Sequence, residues 1–205
     1  MHVFVERIKL KTKKHNEHCK DCKASVRSLL AYQLGVVEAN WDLKLSAHLV
    51  DYKGTEFYDR LGKIYAALGK HRGHDQFVKS KKLPRVDYFI RSKNIIVEFD
   101  ESQHFTKPRD ITLSLYPNKD FFGFSVNKWR NLCQKLNKRD NDPYYRDEQR
   151  AWYDTLRDFA PLIWGDGKTV RLYASDFVWC SFSPDNEADL KAFKQLLKIG
   201  KETSE

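Results

Sequence analysis

Two apolar, largely β-branched runs, Val86-Asp87-Tyr88-Phe89-Ile90 and Ile95-Ile96-Val97-Glu98-Phe99-Asp100, are separated only by Arg91-Ser92-Lys93-Asn94. This pattern predicts a β-hairpin with a tight connection, so the chain must fold around a sheet. The first run carries one acid in its interior. The second ends in a group of acids followed by Gln103 and His104. Side chains alternate faces along a strand, so Glu98 and Asp100 share a side with Ile96. If Asp87 faces that side as well, three carboxylates meet at one end of the hairpin. Buried carboxylates repel one another and are costly to desolvate unless a cation joins them. Hard oxygen donors grouped in this way suit Mg²⁺ or Mn²⁺. The competing reading is that these acids merely sit solvated at strand ends.

A length of 205 residues with 41% hydrophobic content accommodates one folded domain with a sizeable core. No apolar run is long enough to span a bilayer. The opening Met1-His2-Val3-Phe4-Val5-Glu6-Arg7 lacks the apolar stretch of a secretory signal, so a cytoplasmic location and no membrane partner are expected. The formal charge of +9 points to a polyanionic partner. A uniformly solvated basic surface would give the same charge. Clustering favours the partner, because Lys9–Lys14 and Lys79, Lys81 and Lys82 form dense runs, the second just ahead of the Asp87 strand.

Along the chain, Val3–Leu10 alternates as a short strand, Cys22–Leu34 has helical spacing, and 36–43 alternates as a strand. Residues 43–83 read as mainly helical. After the hairpin, Pro108 opens a helix through Leu115, residues 117–126 form a loop, and Asn127 caps a helix through Leu136. Arg146–Ile163 is a strong helix, Thr169–Tyr173 a strand, and 185–199 an amphipathic helix.

The segments Val86-Asp87-Tyr88-Phe89, Ile96-Val97-Glu98-Phe99-Asp100 and Gln103-His104-Phe105, with Arg146-Asp147-Glu148-Gln149-Arg150 and Thr169-Val170-Arg171-Leu172-Tyr173, resemble the core motifs of the PD-(D/E)XK nuclease superfamily. The similarity is closest to its very-short-patch-repair-like and DUF559-type branch. It covers about 23–43, 84–105 and 140–180. It implies an α/β, restriction-endonuclease-like αβββαβ core within a single domain, with 44–83 and 106–140 as insertions. It also implies a Mg²⁺-dependent DNA endonuclease, in restriction of foreign DNA or in repair. Asp87 and Glu98 would then be the principal metal ligands and Asp100 a third ligand or a positioner. The cation would polarise the phosphate and activate a water. The superfamily's usual motif has a lysine two residues after the glutamate, where this chain has Asp100. Gln103, His104 or Lys107 would have to take that lysine's role.

Lys79, Lys81, Lys82, Lys107, Arg146 and Arg150 are the candidate phosphate contacts. For Arg146 and Arg150 the alternative is a solvated helix start, where Asp147 complements the helix dipole. Glu38 is a further candidate acid for the site. Phe121-Phe122-Gly123-Phe124 either stacks on bases or fills a gap against the core. RNA remains an alternative substrate, and a homodimer would permit double-strand cleavage. The runner-up function is a non-catalytic nucleic-acid-binding module with a degenerate nuclease site, stabilised by zinc at its N-terminal end.

His15, His18, Cys19 and Cys22 form a second constellation, His-x-x-His-Cys-x-x-Cys, which either binds a structural zinc or holds reduced, unmetallated thiols. His71 and His74 are an alternative second half for it. Cys133 and Cys180 read as buried singletons, and four cysteines in a chain of this kind do not argue for disulfides.

Overall fold

The structure is a computed structural model and describes residues 15–117 and 121–197. The Val3–Leu10 strand and the Lys9–Lys14 run lie outside the described residues. The fold is α/β, a mixed four-stranded sheet flanked by helices. β1 (Glu38–Trp41), β2 (Val86–Ile90) and β3 (Ile95–Asp100) pair antiparallel, and β4 (Lys168–Tyr173) adds to β3 in parallel. The helices are α1 (Lys20–Leu34), α2 (Tyr58–Arg72), α3 (Lys107–Ser114), α4 (Val126–Leu136), α5 (Arg146–Trp164) and α6 (Glu187–Leu197). The series α1, β1, β2, β3, α5, β4 follows the expected helix-strand-strand-strand-helix-strand order. The remaining elements fall mostly in the expected insertions. Segment 44–83 is less helical than its composition suggests, with only a short turn at Leu49–Tyr52 ahead of α2.

Alternation along the hairpin sorts the core into two layers. Phe89 and Ile96 point into a cluster shared with α2, α3, α4 and α5. Tyr88, Ile90, Val97, Phe99, Val170 and Leu172 point into the other, against α1, α6 and Trp179. Glu98 and Asp100 have the parity of Ile96 and therefore enter the α5 side. α5 is buried around most of its circumference from Ala151 to Pro161. Pro161 has no N–H, which frees the carbonyl of Arg157 from the helix ladder. The hydroxyl of Thr169 on β4 donates to that carbonyl at 2.7 Å, tying helix to strand.

The hairpin turns through Arg91–Lys93 and a left-handed Asn94 (φ 50°), a conformation that a short polar side chain tolerates. The Asn94 amide donates to the Pro161 carbonyl at 3.1 Å, and the Asn94 carbonyl accepts from the N–H of Lys168. The turn between α5 and β4 thus packs directly on the hairpin. A Cβ at Gly167 would lie 2.3 Å from the Asn94 carbonyl oxygen. Gly167→Ala is therefore expected to destabilise the fold by about 2–3 kcal/mol, as overpacking against backbone does. Urea denaturation reads this as a lowered midpoint, and an unchanged midpoint would show that the approach is not as close as described.

Two local expectations shift. The cap of α4 is Ser125, whose hydroxyl accepts the Lys128 N–H at 3.2 Å, and not Asn127. Starting there buries Val126 and Trp129 on the core side. Phe122 and Phe124 are buried in the α5-side core, so two of the three loop aromatics fill a gap. Phe121 is exposed.

Candidate active site

The antiparallel ladder between β2 and β3 pairs Tyr88 with Val97, and one further step sets Asp87 opposite Glu98. There the Asp87 carboxylate accepts the N–H of Phe99 at 2.9 Å. Its other oxygen lies 3.2 Å from Nζ of Lys23, in the first turn of α1. Lys23 also stands 3.7 Å from Glu101, the residue that follows β3. Glu98 is only 4% exposed. Its Oε1 has no hydrogen-bond partner and faces Nε of Arg157 on α5, itself unbonded, at 3.6 Å. Burial pushes the Glu98 carboxyl up to about 8, with the neighbouring Asp87 charge adding to the effect and Arg157 opposing it.

Asp100, expected as a third ligand or a positioner, has a different partner set that speaks against the ligand role. One of its oxygens accepts from the Arg171 guanidinium at 2.7 Å and the other from the Trp129 indole at 2.7 Å. Both oxygens are committed to strong donors in the buried interior. Asp100 belongs to a buried network that also holds Asp154 and Asp158 of α5, Arg109 of α3 and Arg171 of β4. Among the described residues, Asp87, Glu98 and Asp100 do not gather their oxygens as one ligand set.

His104 sits at the edge of this network, its Nδ1 2.8 Å from Asp154 and 3.7 Å from Asp100. Burial opposes charge on the ring, but the charge and hydrogen bond of Asp154 together with the charge of Asp100 outweigh it and raise the pKa above its ordinary value. His104 and Arg157 line a cleft of about 620 Å³ together with Lys79, Arg146 and Arg150. Among the described residues that line the cleft, four are Lys or Arg and none is acidic. Three of the six basic residues singled out from sequence thus meet in one place. Lys81 and Lys82 do not line the cleft. Lys107 pairs with Asp110 at 3.1 Å and lines a separate, smaller cavity with His71 and Arg72. Gln103 is exposed, donates to Glu101 at 2.8 Å and holds Arg150 through its backbone carbonyl. It thus links Arg150 of the cleft to Glu101, the acid that shares Lys23 with Asp87. Glu38 faces Arg91 at 3.4 Å, where it pairs outside the acid group.

The cysteines give a second correction. His15, Cys19 and Cys22 come together as expected, but their fourth neighbour is Cys180, which was expected to stand alone. His18 turns instead to Glu101 at 3.4 Å. His74 stacks on Tyr144, and His71 lies beside Arg72, so neither joins the thiols. Cys133 is a buried singleton as expected.

Sequence reasoning missed Lys23, Glu101, Asp154 and Arg157. Asp154 and Arg157 carry a local signal, being charges spaced i, i+3 within an apolar helix. Lys23 carries none, because it lies 64 residues from its partner Asp87.

A model for a family of unknown function, DUF7255, matches residues 63–155. That span holds Asp87, Glu98, His104, Arg150 and Asp154 but not Lys23, Arg171 or the cysteine group. No curated protein and no solved structure matches the chain.

Proposed function

We propose that this chain is a divalent-metal-dependent nuclease that hydrolyses phosphodiester bonds in DNA, in restriction of foreign DNA or in repair. The observation that carries the reading is a carboxylate pair, half-buried Asp87 and buried Glu98, in which Glu98 faces Arg157, a lining residue of a cleft whose charged side chains are all cationic. A cation fits this pair on physical grounds: Glu98 holds an orphaned oxygen in a site that raises its pKa. Mg²⁺ commonly takes one or two carboxylates and keeps waters or phosphate oxygens in its other positions. Bound there, such an ion would polarise the scissile phosphate and lower the pKa of a bound water. Lys79, Arg146 and Arg150 would hold flanking phosphates, an interaction that weakens with salt. His104, oriented through Nδ1 by Asp154, would present its other ring nitrogen to the cleft and hold or deliver a proton at the departing oxygen. Lys23 supplies the cation that the resemblance expects at position 100 and reaches the acids from α1 instead of from β3. Hydrolysis adds water oxygen to phosphorus, breaks the P–O bond to one sugar and returns a proton to that sugar's oxygen.

A second reading rests on the same lysine. Lys23 by itself neutralises Asp87 and Glu101, as a binding module with a silent site would require. Supercoiled plasmid and single-stranded DNA and RNA, each with Mg²⁺ or Mn²⁺, separate the two readings. Wild type is expected to cleave DNA, while Asp87→Asn and Glu98→Gln lose at least ~100-fold in rate, the scale on which one electrostatic catalytic group acts. Retention of DNA without cleavage, or equal cleavage by all three proteins, would sink the enzymatic reading. Arg150→Ala is expected to weaken DNA binding and to lower the slope of log K against log[salt] by about 1.

A further inference from the structure

We propose that His15, Cys19, Cys22 and Cys180 bind one structural zinc ion that pins the lead-in of α1 against the turn after β4. Their four donor atoms all lie within 4.8 Å of one another, and His15 Nε2 is 3.5 Å from Cys180 Sγ. A tetrahedral Zn²⁺ with sulfur at about 2.3 Å and nitrogen at about 2.0 Å spaces its ligands by roughly 3.5–3.8 Å. The group is therefore close to that geometry already, and small side-chain rotations would complete it. Three thiols and an imidazole are soft and borderline donors, which select zinc over Mg²⁺ or Mn²⁺. With four protein ligands the shell is closed, as in structural sites, and leaves no open position for substrate.

The fold explains why these four meet. Cys19 stands at the cap of α1 and Cys22 in its first turn, so a two-residue spacing places both sulfurs at the same helix end. Cys180 lies in the short turn Trp179–Ser181, which packs on α1, with Trp179 buried beneath it. Ser25 of α1 donates to the Phe182 carbonyl at 2.7 Å and holds the two segments in register. Cys22 is buried, while Cys19 and Cys180 are half-buried.

The ion would also steady the segment that serves the candidate active site. Between the ligands, Glu17 accepts the Ser102 N–H at 2.7 Å and the Ser175 hydroxyl at 2.8 Å, and His18 faces Glu101. Lys23 follows Cys22 directly. Zinc would thus hold the start of α1 so that Lys23 reaches Asp87, and this clause alone rests on the proposed function.

Full-length protein purified without chelator and without an immobilised-metal step is expected to contain one zinc per chain by elemental analysis. Cys22→Ser and Cys180→Ser should lose that equivalent, while His18→Ala and Cys133→Ala keep it. Zinc removal should lower the unfolding temperature, because the ion binds only the folded arrangement. Cys180→Ser is the diagnostic variant, since a site built only on the Cys-x-x-Cys and neighbouring histidines would not need it. Should the serine variants fail to fold, cobalt-substituted wild type decides the matter: tetrahedral d–d bands with a charge-transfer band of three thiolates support the site. A two-thiolate intensity, a wild type that takes up no zinc on reconstitution, or a Cys180→Ser protein with full zinc would overturn it. These readouts do not use cleavage, so a protein that binds zinc but cuts no DNA would refute the nuclease and leave the zinc site standing.

Discussion

Replacing Arg171 with alanine is expected to cost about 3–5 kcal/mol, the scale for stripping one partner from a buried ion pair. A domain holds roughly 5–15 kcal/mol in total, so little folded protein should remain at physiological temperature. Arg171 is 3% exposed, and its guanidinium serves three carboxylates of two elements. It meets Asp100 and Asp158 at 2.7 Å each and Asp154 at 3.5 Å. It also donates to the Asp154 backbone carbonyl at 3.2 Å. Without it, Asp100 keeps only the Trp129 indole and a distant His104 as favourable partners. Asp158 still has Arg109 and the Tyr116 hydroxyl, and Asp154 still has His104 and Arg157, so Asp100 would bear most of the uncompensated charge. Urea denaturation of Arg171→Ala and of Arg171→Met with Asp100→Asn checks this. The double variant should recover part of the loss, because it removes a charge along with its partner. A single variant as stable as wild type would mean that the network does not hold the sheet to α5.

The second large effect concerns Glu98 and has the opposite sign. Its folded pKa of about 8 lies above the ordinary 4.5, so between those values the folded state holds more protons than the unfolded one. Stability is then fully present below about pH 4.5, declines as pH rises toward 8, and is flat above that. Glutamine copies the neutral carboxyl and cannot ionise. Glu98→Gln should therefore match wild type near pH 4.5 and exceed it at pH 8 by on the order of 4 kcal/mol, because each tenfold change in proton affinity is worth about 1.36 kcal/mol. A cation at the Asp87–Glu98 pair favours the ionised form, so Mg²⁺ should restore stability to wild type at pH 8 and do little for the variant. Denaturation curves at pH 5, 6.5 and 8, with and without Mg²⁺, test both statements. Parallel pH profiles for the two proteins would remove the buried proton from the account, and a wild type indifferent to Mg²⁺ would count against the ion.

Much of the frame was legible because its signals are local. The Val86–Asp100 hairpin, the long α5 and the order of elements all follow from runs of period two and 3.6. Even the division of the core could be read, since Ile96 and Val97 must face opposite ways. Lys79, Arg146 and Arg150 were also readable as a basic set, although their meeting in one cleft was not. Asp100 shows where this reasoning stops. By spacing it is the twin of Glu98, two residues away on the same face. It differs only in what its oxygens meet, the Arg171 guanidinium and Trp129 indole in one case, an imperfectly placed Arg157 in the other.

The same limit explains Lys23 and Cys180. Each completes a group begun by residues far away in the chain, and no spacing rule links Lys23 to Asp87 or Cys180 to Cys22. Alternating and helical patterns decide which face of an element is buried, because burial acts on each residue through its immediate neighbours. The pairing of charges and donors is set by distance in space, where a Coulomb or ligand bond forms between whichever groups the packing delivers. Sequence was therefore sufficient for the sheet, the helices and the acidic end of the hairpin. Only the packing of α1, α5 and the turn after β4 decided which acids pair with Lys23, which with Arg171, and which thiols met.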